Sequence, residues 1–150
     1  MKLSLFTDYA MRVLLYLGAH PGRLCSIAEI AAAYGISRHH LMKVVNGLAR
    51  RGHVETVRGR AGGVRLGRPP AEINVGAVIR QTEEGSALVE CGECVIAPAC
   101  GLTGALGEAM AAFFAVLDRY SLADVMARGG DIGRLLSAGT FAQGDAPAAR

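Results

Sequence analysis

Ser37-Arg38-His39-His40-Leu41-Met42-Lys43-Val44-Val45-Asn46-Gly47-Leu48-Ala49-Arg50-Arg51-Gly52 and, past His53, Val54-Glu55-Thr56-Val57-Arg58-Gly59-Arg60-Ala61-Gly62-Gly63-Val64-Arg65-Leu66 form the stretch that decides the fold. Leu41, Val44, Val45 and Leu48 recur at helical spacing, so Ser37 to about Arg51 reads as a helix with one apolar face, capped by Ser37 and stopped by Gly52. Just upstream, Ser26 and Glu29 form a capping-box pattern ahead of a short helix, about Ile27 to Tyr34, ended by Gly35. Two short helices joined by a glycine turn, the second basic at its start, are the sequence form of a helix-turn-helix. Val54–Val57 and Val64–Leu66 read as strands, and the glycines between them as a hairpin tip. A basic hairpin directly after a recognition helix is a wing.

Charge supports the same reading. Residues 38–68 hold eight basic side chains and one acid, Glu55, a net of +7 against −4 for the remainder. A solvated face usually mixes its signs, whereas this polarisation suits a surface that docks on a polyanion. Arg38, His39, His40 and Lys43 fall on the first turns of the recognition helix, and Arg58, Arg60 and Arg65 on the wing. All seven are candidate DNA contacts: Arg38 or His39 at base edges, Lys43 and the wing arginines at phosphates or the minor groove.

Outward from this centre, Tyr9, Ala10, Val13, Leu14 and Leu17 share one face of a first helix, about Phe6 to Gly18, closed by His20-Pro21-Gly22. Asn74 is placed to cap a helix from Val75 to Thr82. Leu102 to Tyr120 reads as a long helix whose Leu106, Met110, Phe113, Phe114 and Leu117 are too apolar to face water. Pairing with a twin in a dimer is the reading taken, with burial against the chain's own core as the alternative. Ser121 caps a short last helix ending near Arg128, and glycine, alanine and polar residues dominate from Gly129 on. The expected class is mostly α with a small β-hairpin: a winged helix-turn-helix with a long C-terminal dimerisation helix. Its expected divisions are residues 1–83 for DNA binding, 84–101 for a cysteine loop, 102–128 for dimerisation and 129–150 for a flexible tail. At 150 residues the chain can bury a core without disulfides. No apolar run approaches a membrane span and no basic-then-apolar leader opens the chain, so a cytoplasmic protein is expected.

The chemistry-bearing segment is Cys91-Gly92-Glu93-Cys94-Val95-Ile96-Ala97-Pro98-Ala99-Cys100, three thiols in a C-x2-C-x5-C spacing. Soft thiolates select zinc, copper(I) or iron–sulfur clusters. A structural zinc site wants four closed ligands, and here no second pair or nearby histidine completes one. A thiol switch needs only two cysteines. An iron–sulfur cluster tolerates three cysteines with one other ligand, and an incomplete shell makes it reactive. Cys25 stands apart and reads as a small buried side chain. Asp8, in the first turn of the first helix, is suited to the helix dipole, and Arg12 one turn on can pair with it.

The sequence resembles the Rrf2 family of winged-helix iron–sulfur transcription regulators, most of all its nitric-oxide-sensing repressors. The resemblance is carried by Leu5-Phe6-Thr7-Asp8-Tyr9-Ala10, Tyr34-Gly35-Ile36-Ser37, Val57-Arg58-Gly59-Arg60-Ala61-Gly62-Gly63-Val64-Arg65-Leu66-Gly67, Pro98-Ala99-Cys100 and Asp124, over about residues 1–127. It implies a homodimer on a palindromic double-stranded DNA operator, a cluster held by Cys91, Cys94 and Cys100, and nitric oxide as signal. In the nitric-oxide-sensing members an aspartate of the opposite subunit's first helix completes the shell, and Asp8 falls on that motif. Another branch uses a histidine after the third cysteine, where this chain has Thr103. Cys91 and Cys94 lie closer together than in the nitric-oxide sensors. A four-iron cluster is the expectation and a two-iron cluster its alternative. The competing functions are an iron- or redox-responsive regulator of the same family and a cluster-carrying redox protein. The latter leaves the basic wing unexplained, and no acid–base pair marks an enzyme.

Overall fold

The structure, a computed structural model, describes residues 2–83, 88–89, 91–130 and 132–137. Helix α1 spans Leu5–Gly18 and starts where Ser4 accepts a hydrogen bond from the Thr7 amide. Its inward stripe is Ala10, Val13, Leu14, Tyr16 and Leu17. Helix α2, Ile27–Tyr34, opens with both halves of the capping box between Ser26 and Glu29. It closes on Gly35 at φ +64°, a left-handed conformation that glycine adopts without steric cost. Helix α3, Arg38–Arg50, buries Leu41, Val44, Val45 and Leu48. Ser37 precedes it but makes no side-chain cap bond, contrary to the sequence reading; the Leu41 amide is met by the Ser37 carbonyl instead.

Strands β1 (Val54–Val57) and β2 (Gly63–Leu66) pair antiparallel, with Glu55 opposite Arg65 and Thr56 opposite Val64. A third strand position lies outside any local pattern. Cys25 bridges β2 through two backbone bonds with Val64, 2.9 and 2.8 Å long. The hairpin is thereby fastened to the segment entering α2. After a 3-10 turn at Pro70–Glu72, α4 covers Val75–Thr82, capped by Asn74, whose Oδ1 accepts from the Ala77 amide at 2.9 Å.

A second 3-10 turn, Ala97–Ala99, leads to α5, Leu102–Leu117. The sequence pattern runs on to Tyr120, but the helix stops three residues earlier. The Asn74 side-chain Nδ2 donates to the Asp118 carbonyl at 2.8 Å, and the Val75 backbone amide donates to that of Tyr120 at 2.9 Å. Helix α6, Leu122–Arg128, has its own capping box of Ser121 and Asp124, and sinks Leu122 fully into the core beneath α1. Helix α7, Ile132–Ser137, lies in the span read as a tail, with Leu136 against the same core; residues 138–150 lie outside the described residues.

One core unites these parts: α1, α2 and α3 with Val54 and Val64 of the hairpin, Ile73, Val78 of α4, and Leu122. Each large aliphatic side chain buried there contributes about 1.5–3 kcal/mol relative to exposure. Helix α5 is the exception. None of its residues is buried, although its sequence is apolar nearly all round.

The bridge from Cys25 to the hairpin requires glycine at position 63. A Cβ there would stand 2.8 Å from the Cys25 carbonyl oxygen and 3.2 Å from its carbonyl carbon. Gly63→Ala is expected to cost about 1–3 kcal/mol through overpacking. Urea denaturation followed by circular dichroism checks this, and unchanged stability would mean that the bridge yields freely.

Candidate nucleic-acid interface and cysteine loop

With its apolar face locked in the core, α3 turns Arg38, His39, His40, Met42, Lys43, Asn46 and Arg50 to solvent. His40 sits toward α1, its ring centroid 6.5 Å from that of Tyr9. It lines a hollow of about 140 Å3 with Leu5, Phe6, Tyr9, Lys43 and Val44. Met42 and Asn46 were passed over in the sequence, although spacings of three and seven from His39 place all three on one side of the helix.

The wing arginines divide into two kinds. Arg58 and Arg60 are exposed at the hairpin tip and have no ion-pair partner among the described residues. Arg65 is held by Glu55 across the strands, Nε to Oε2 at 2.9 Å. The same contact, first through its hydrogen bond and then through the charge, holds the Glu55 carboxyl below its ordinary range. The one acid of the basic stretch thus compensates Arg65 and leaves the tip arginines free to act.

In the cysteine segment, successive turns link the Cys94 amide to the Cys91 carbonyl at 3.3 Å, Ala97 to Cys94 at 3.1 Å and Cys100 to Ala97 at 3.3 Å. Cys91 Sγ lies 3.6 Å from Thr103 Oγ1 in the first turn of α5, and Cys100 directly precedes Gly101, the N-cap of that helix. Two of the thiols therefore stand at a helix N-terminus, whose unpaired amides favour negative charge. Cys94 is exposed, while Cys91 and Cys100 are half-buried. Among the described residues no three His, Cys, Asp or Glu side chains are gathered closely enough to hold a metal ion. The loop presents its thiols along one strip of turns. Residues 84–87 and Glu90, the beginning of the expected cysteine loop, lie outside the described residues.

Cys25 belongs to a different chemistry. It is fully buried, and burial pushes its thiol up to about 11, so it stays protonated at neutral pH. Asp8 is not with the cysteines of its own chain. Both of its carboxylate oxygens are taken by Arg12, at 3.1 Å from Nε and 2.9 Å from Nη2. The Arg12 guanidinium in turn lies between the rings of Tyr9 and Tyr34, 6.0 and 5.9 Å from their centroids. No helix among the described residues is long and apolar enough to cross a membrane.

Comparison with known proteins matches residues 3–128 to the family described as Rrf2, iron-dependent transcriptional regulator. The chain is 50% identical over 142 residues to the HTH-type transcriptional regulator NsrR of Bacillus subtilis, covering 91% of this chain and 97% of that one. It is 52% identical over 132 residues to NsrR of Geobacillus kaustophilus, covering 84% and 90%. Among solved structures it superposes on T. potens IscR with a TM-score of 0.71 at 28% identity, covering 96% of this chain and 94% of that one. It also superposes on CymR, the global cysteine regulator of B. subtilis, with a TM-score of 0.67 at 29% identity, covering 85% and 98%.

The unequal wing arginines yield a measurable contrast. Each phosphate contact releases condensed counterions, so Arg60→Ala should weaken binding to specific and random duplexes alike and reduce the log affinity–log salt slope by about one unit. Arg65→Ala should change the slope by less, because Glu55 already offsets its charge. Fluorescence anisotropy at several salt concentrations reads both, and an Arg60→Ala protein with unchanged affinity and slope would remove the wing tip from the interface.

Proposed function

The chain belongs to the Rrf2 family of transcriptional regulators, and on that premise we propose that it is a homodimeric repressor whose hold on a palindromic DNA operator depends on an iron–sulfur cluster and is released by nitric oxide. The observation that carries this reading is the set of three thiols on successive turns leading into α5, two of them at its N-terminus. Cys91 is tied to Thr103, Cys100 abuts the N-cap, and Cys94 is linked by its amide to Cys91. Thiolates are the donors such clusters take. Zinc would require a fourth closed ligand that the described part of the loop lacks. Cys91, Cys94 and Cys100 would hold a four-iron cluster, with Asp8 of the second copy as fourth ligand. When bound, the cluster supplies iron that reacts with nitric oxide.

The protein's own residues do the rest. The apolar α5, with none of its 16 residues buried within the chain, is the surface on which two copies meet. Its pairing sets the spacing of two α3 helices, which must enter half-sites about one helical turn apart. Asp8 is bound to Arg12 by an exposed i,i+4 ion pair worth only about 0.2–0.5 kcal/mol, so it can exchange that partner at small cost. The cysteine loop is the element with two arrangements, and α3 carries the result to DNA. A hundredfold loss of operator affinity needs only about 2.8 kcal/mol of difference between those arrangements.

Support for nitric oxide as signal comes from Phe6-Thr7-Asp8-Tyr9 and Pro98-Ala99-Cys100, the segments that resemble the nitric-oxide-sensing members. Anaerobic titration with nitric oxide, following visible absorbance and operator binding together, tests the whole reading. Cys94→Ala should abolish the visible absorbance and operator-specific binding while sedimenting as a dimer; full cluster occupancy in that variant would overturn the ligand set. Asp8→Ala should leave a more labile cluster, and identical stability and response would reduce Asp8 to a helix-start acid. Val116→Asp, at an exposed apolar position of α5, should shift sedimentation from dimer to monomer.

A further inference from the structure

The end of α4 carries four consecutive residues, Arg80-Gln81-Thr82-Glu83, that together join four other elements. Arg80 Nη2 pairs with Asp118 at 2.7 Å just past α5, and its guanidinium lies 4.4 Å from the centroid of the Phe114 ring. The Gln81 carbonyl accepts from Arg51 Nη2 at the end of α3, at 2.9 Å. Its side-chain Oε1 meets His53 Nε2, at the root of the wing, at 2.8 Å. Thr82 Oγ1 accepts from Thr7 Oγ1 of α1 at 2.9 Å, and Glu83 Oε1 accepts from the Ser4 amide at 2.7 Å.

The Gln81 contacts differ in kind from the others. His53 is buried, and its Nδ1 has no partner among the described residues. An unpaired buried lone pair costs less than an unpaired N–H, so the ring proton sits on Nε2 and is donated to Gln81. That bond is the ring's one polar anchor among the described residues. The His53 backbone also joins α3 to the wing, since its amide donates to the Leu48 carbonyl at 3.0 Å and its carbonyl accepts from Gly67 at 2.9 Å. Gln81 thus grips the junction between recognition helix and wing, with Arg51 closing it through a further bond to the Gly47 carbonyl at 3.3 Å. The path to the cysteines leaves from the same place. Cys91 follows Glu83 by eight positions, and the chain returns along α5 to the Arg80–Asp118 pair. The cysteine segment is therefore connected to this turn on both sides, by eight positions of chain before Cys91 and, after Cys100, by α5, whose far end carries Phe114 and Asp118 against Arg80.

We propose that Gln81 is a positioning residue through which the state of the cysteine loop sets recognition helix and wing relative to each other. The proposal rests on the reading that the cysteines hold a cluster governing DNA binding. In a purely structural role Gln81 would affect stability but not the difference between cluster-loaded and cluster-free protein. That difference is the quantity to measure.

Three variants test it. Gln81→Leu removes the side-chain acceptor but strands the His53 ring. Gln81→Leu combined with His53→Phe removes both polar partners at once, which can be nearly neutral for stability and guards against simple unfolding. Gln81→Glu keeps an acceptor for Nε2 and is the conservative rescue. Full-length protein is compared with and without its cluster by visible absorbance, by anisotropy on operator DNA at one salt concentration, and by hydrogen exchange of residues 48–53 and 63–67. In the parent, cluster loss should lower affinity by about a hundredfold, the change that 2.8 kcal/mol represents, and speed exchange at the α3–wing junction. The double variant should keep the cluster absorbance, but its affinity ratio should fall at least about tenfold, with junction exchange the same in both states. Gln81→Glu should restore the parent's ratio. A double variant that keeps the parent's ratio and exchange difference would overturn the proposal alone. A parent that binds operator equally with and without its cluster would overturn the cluster reading, and this proposal with it.

Discussion

Ala10, Val13, Leu14 and Leu17 of the first helix are almost completely withdrawn from water, and α3, β2, α4, α6 and α7 all close on the helix that carries them. That stripe is the constraint from which the functional surfaces follow. Because α1 takes the apolar face of α3, the polar face from His39 to Arg50 has nowhere to go but solvent. Because Cys25, seven residues past α1, is bonded on both sides to Val64, the hairpin is held beside α3 rather than swinging on its glycines. A recognition helix and a wing can engage one DNA duplex together only if their relative placement is set before the encounter, and α1 sets it.

Electrostatics then differentiates residues that composition treats alike. The run from Arg38 to Arg68 is basic in sequence but for Glu55, yet its cations have separate fates. Arg65 is compensated by Glu55, Arg51 is spent on the Gly47 and Gln81 carbonyls, and Arg68 donates to Gly52. Arg58 and Arg60 remain at the tip with their charge open to a polyanion. A net charge of +7 thus overstates the number of phosphate contacts the surface can offer, and the geometry leaves the tip arginines as the wing's candidates for them.

The cysteines show the complementary case, where one residue type does two jobs. Cys25 is a core side chain whose thiol is kept protonated by burial; its backbone, not its sulfur, does the structural work. Cys91, Cys94 and Cys100 sit on turns with no sulfur buried out of reach, beside the start of a helix that exposes apolar surface along its length. A reactive site belongs on such a segment, because rearranging it costs few core contacts. Under the proposed function a signal received there would still have to reach a rigid core, and α5 meets that core at the end of α4, through Arg80 with Asp118 and Phe114.

Where the determining interaction spans four residues or fewer, the sequence alone settled the structure in every case but the Ser37 cap. The capping boxes at Ser26 with Glu29 and Ser121 with Asp124 are of this kind. So are the Asn74 cap, the Gly35 turn, the inward spacing of Leu41, Val44, Val45 and Leu48, and the Asp8–Arg12 pair. The three closely spaced thiols likewise showed their donor type, a property of the residues themselves, while what they hold belongs to the proposed function. Tertiary structure decided what joins distant positions. It stopped α5 at Leu117 by drawing the following carbonyls to Asn74 and Val75, bridged Cys25 to Val64, placed α7 on the core, and brought Gln81 between Arg51 and His53. The hydrogen-bonded partners among these lie 28 to 46 positions apart, and no local periodicity encodes their meeting. It arises only when burial of the apolar stripes fixes which helices touch, and the polar groups at their ends must then find one another or go unpaired.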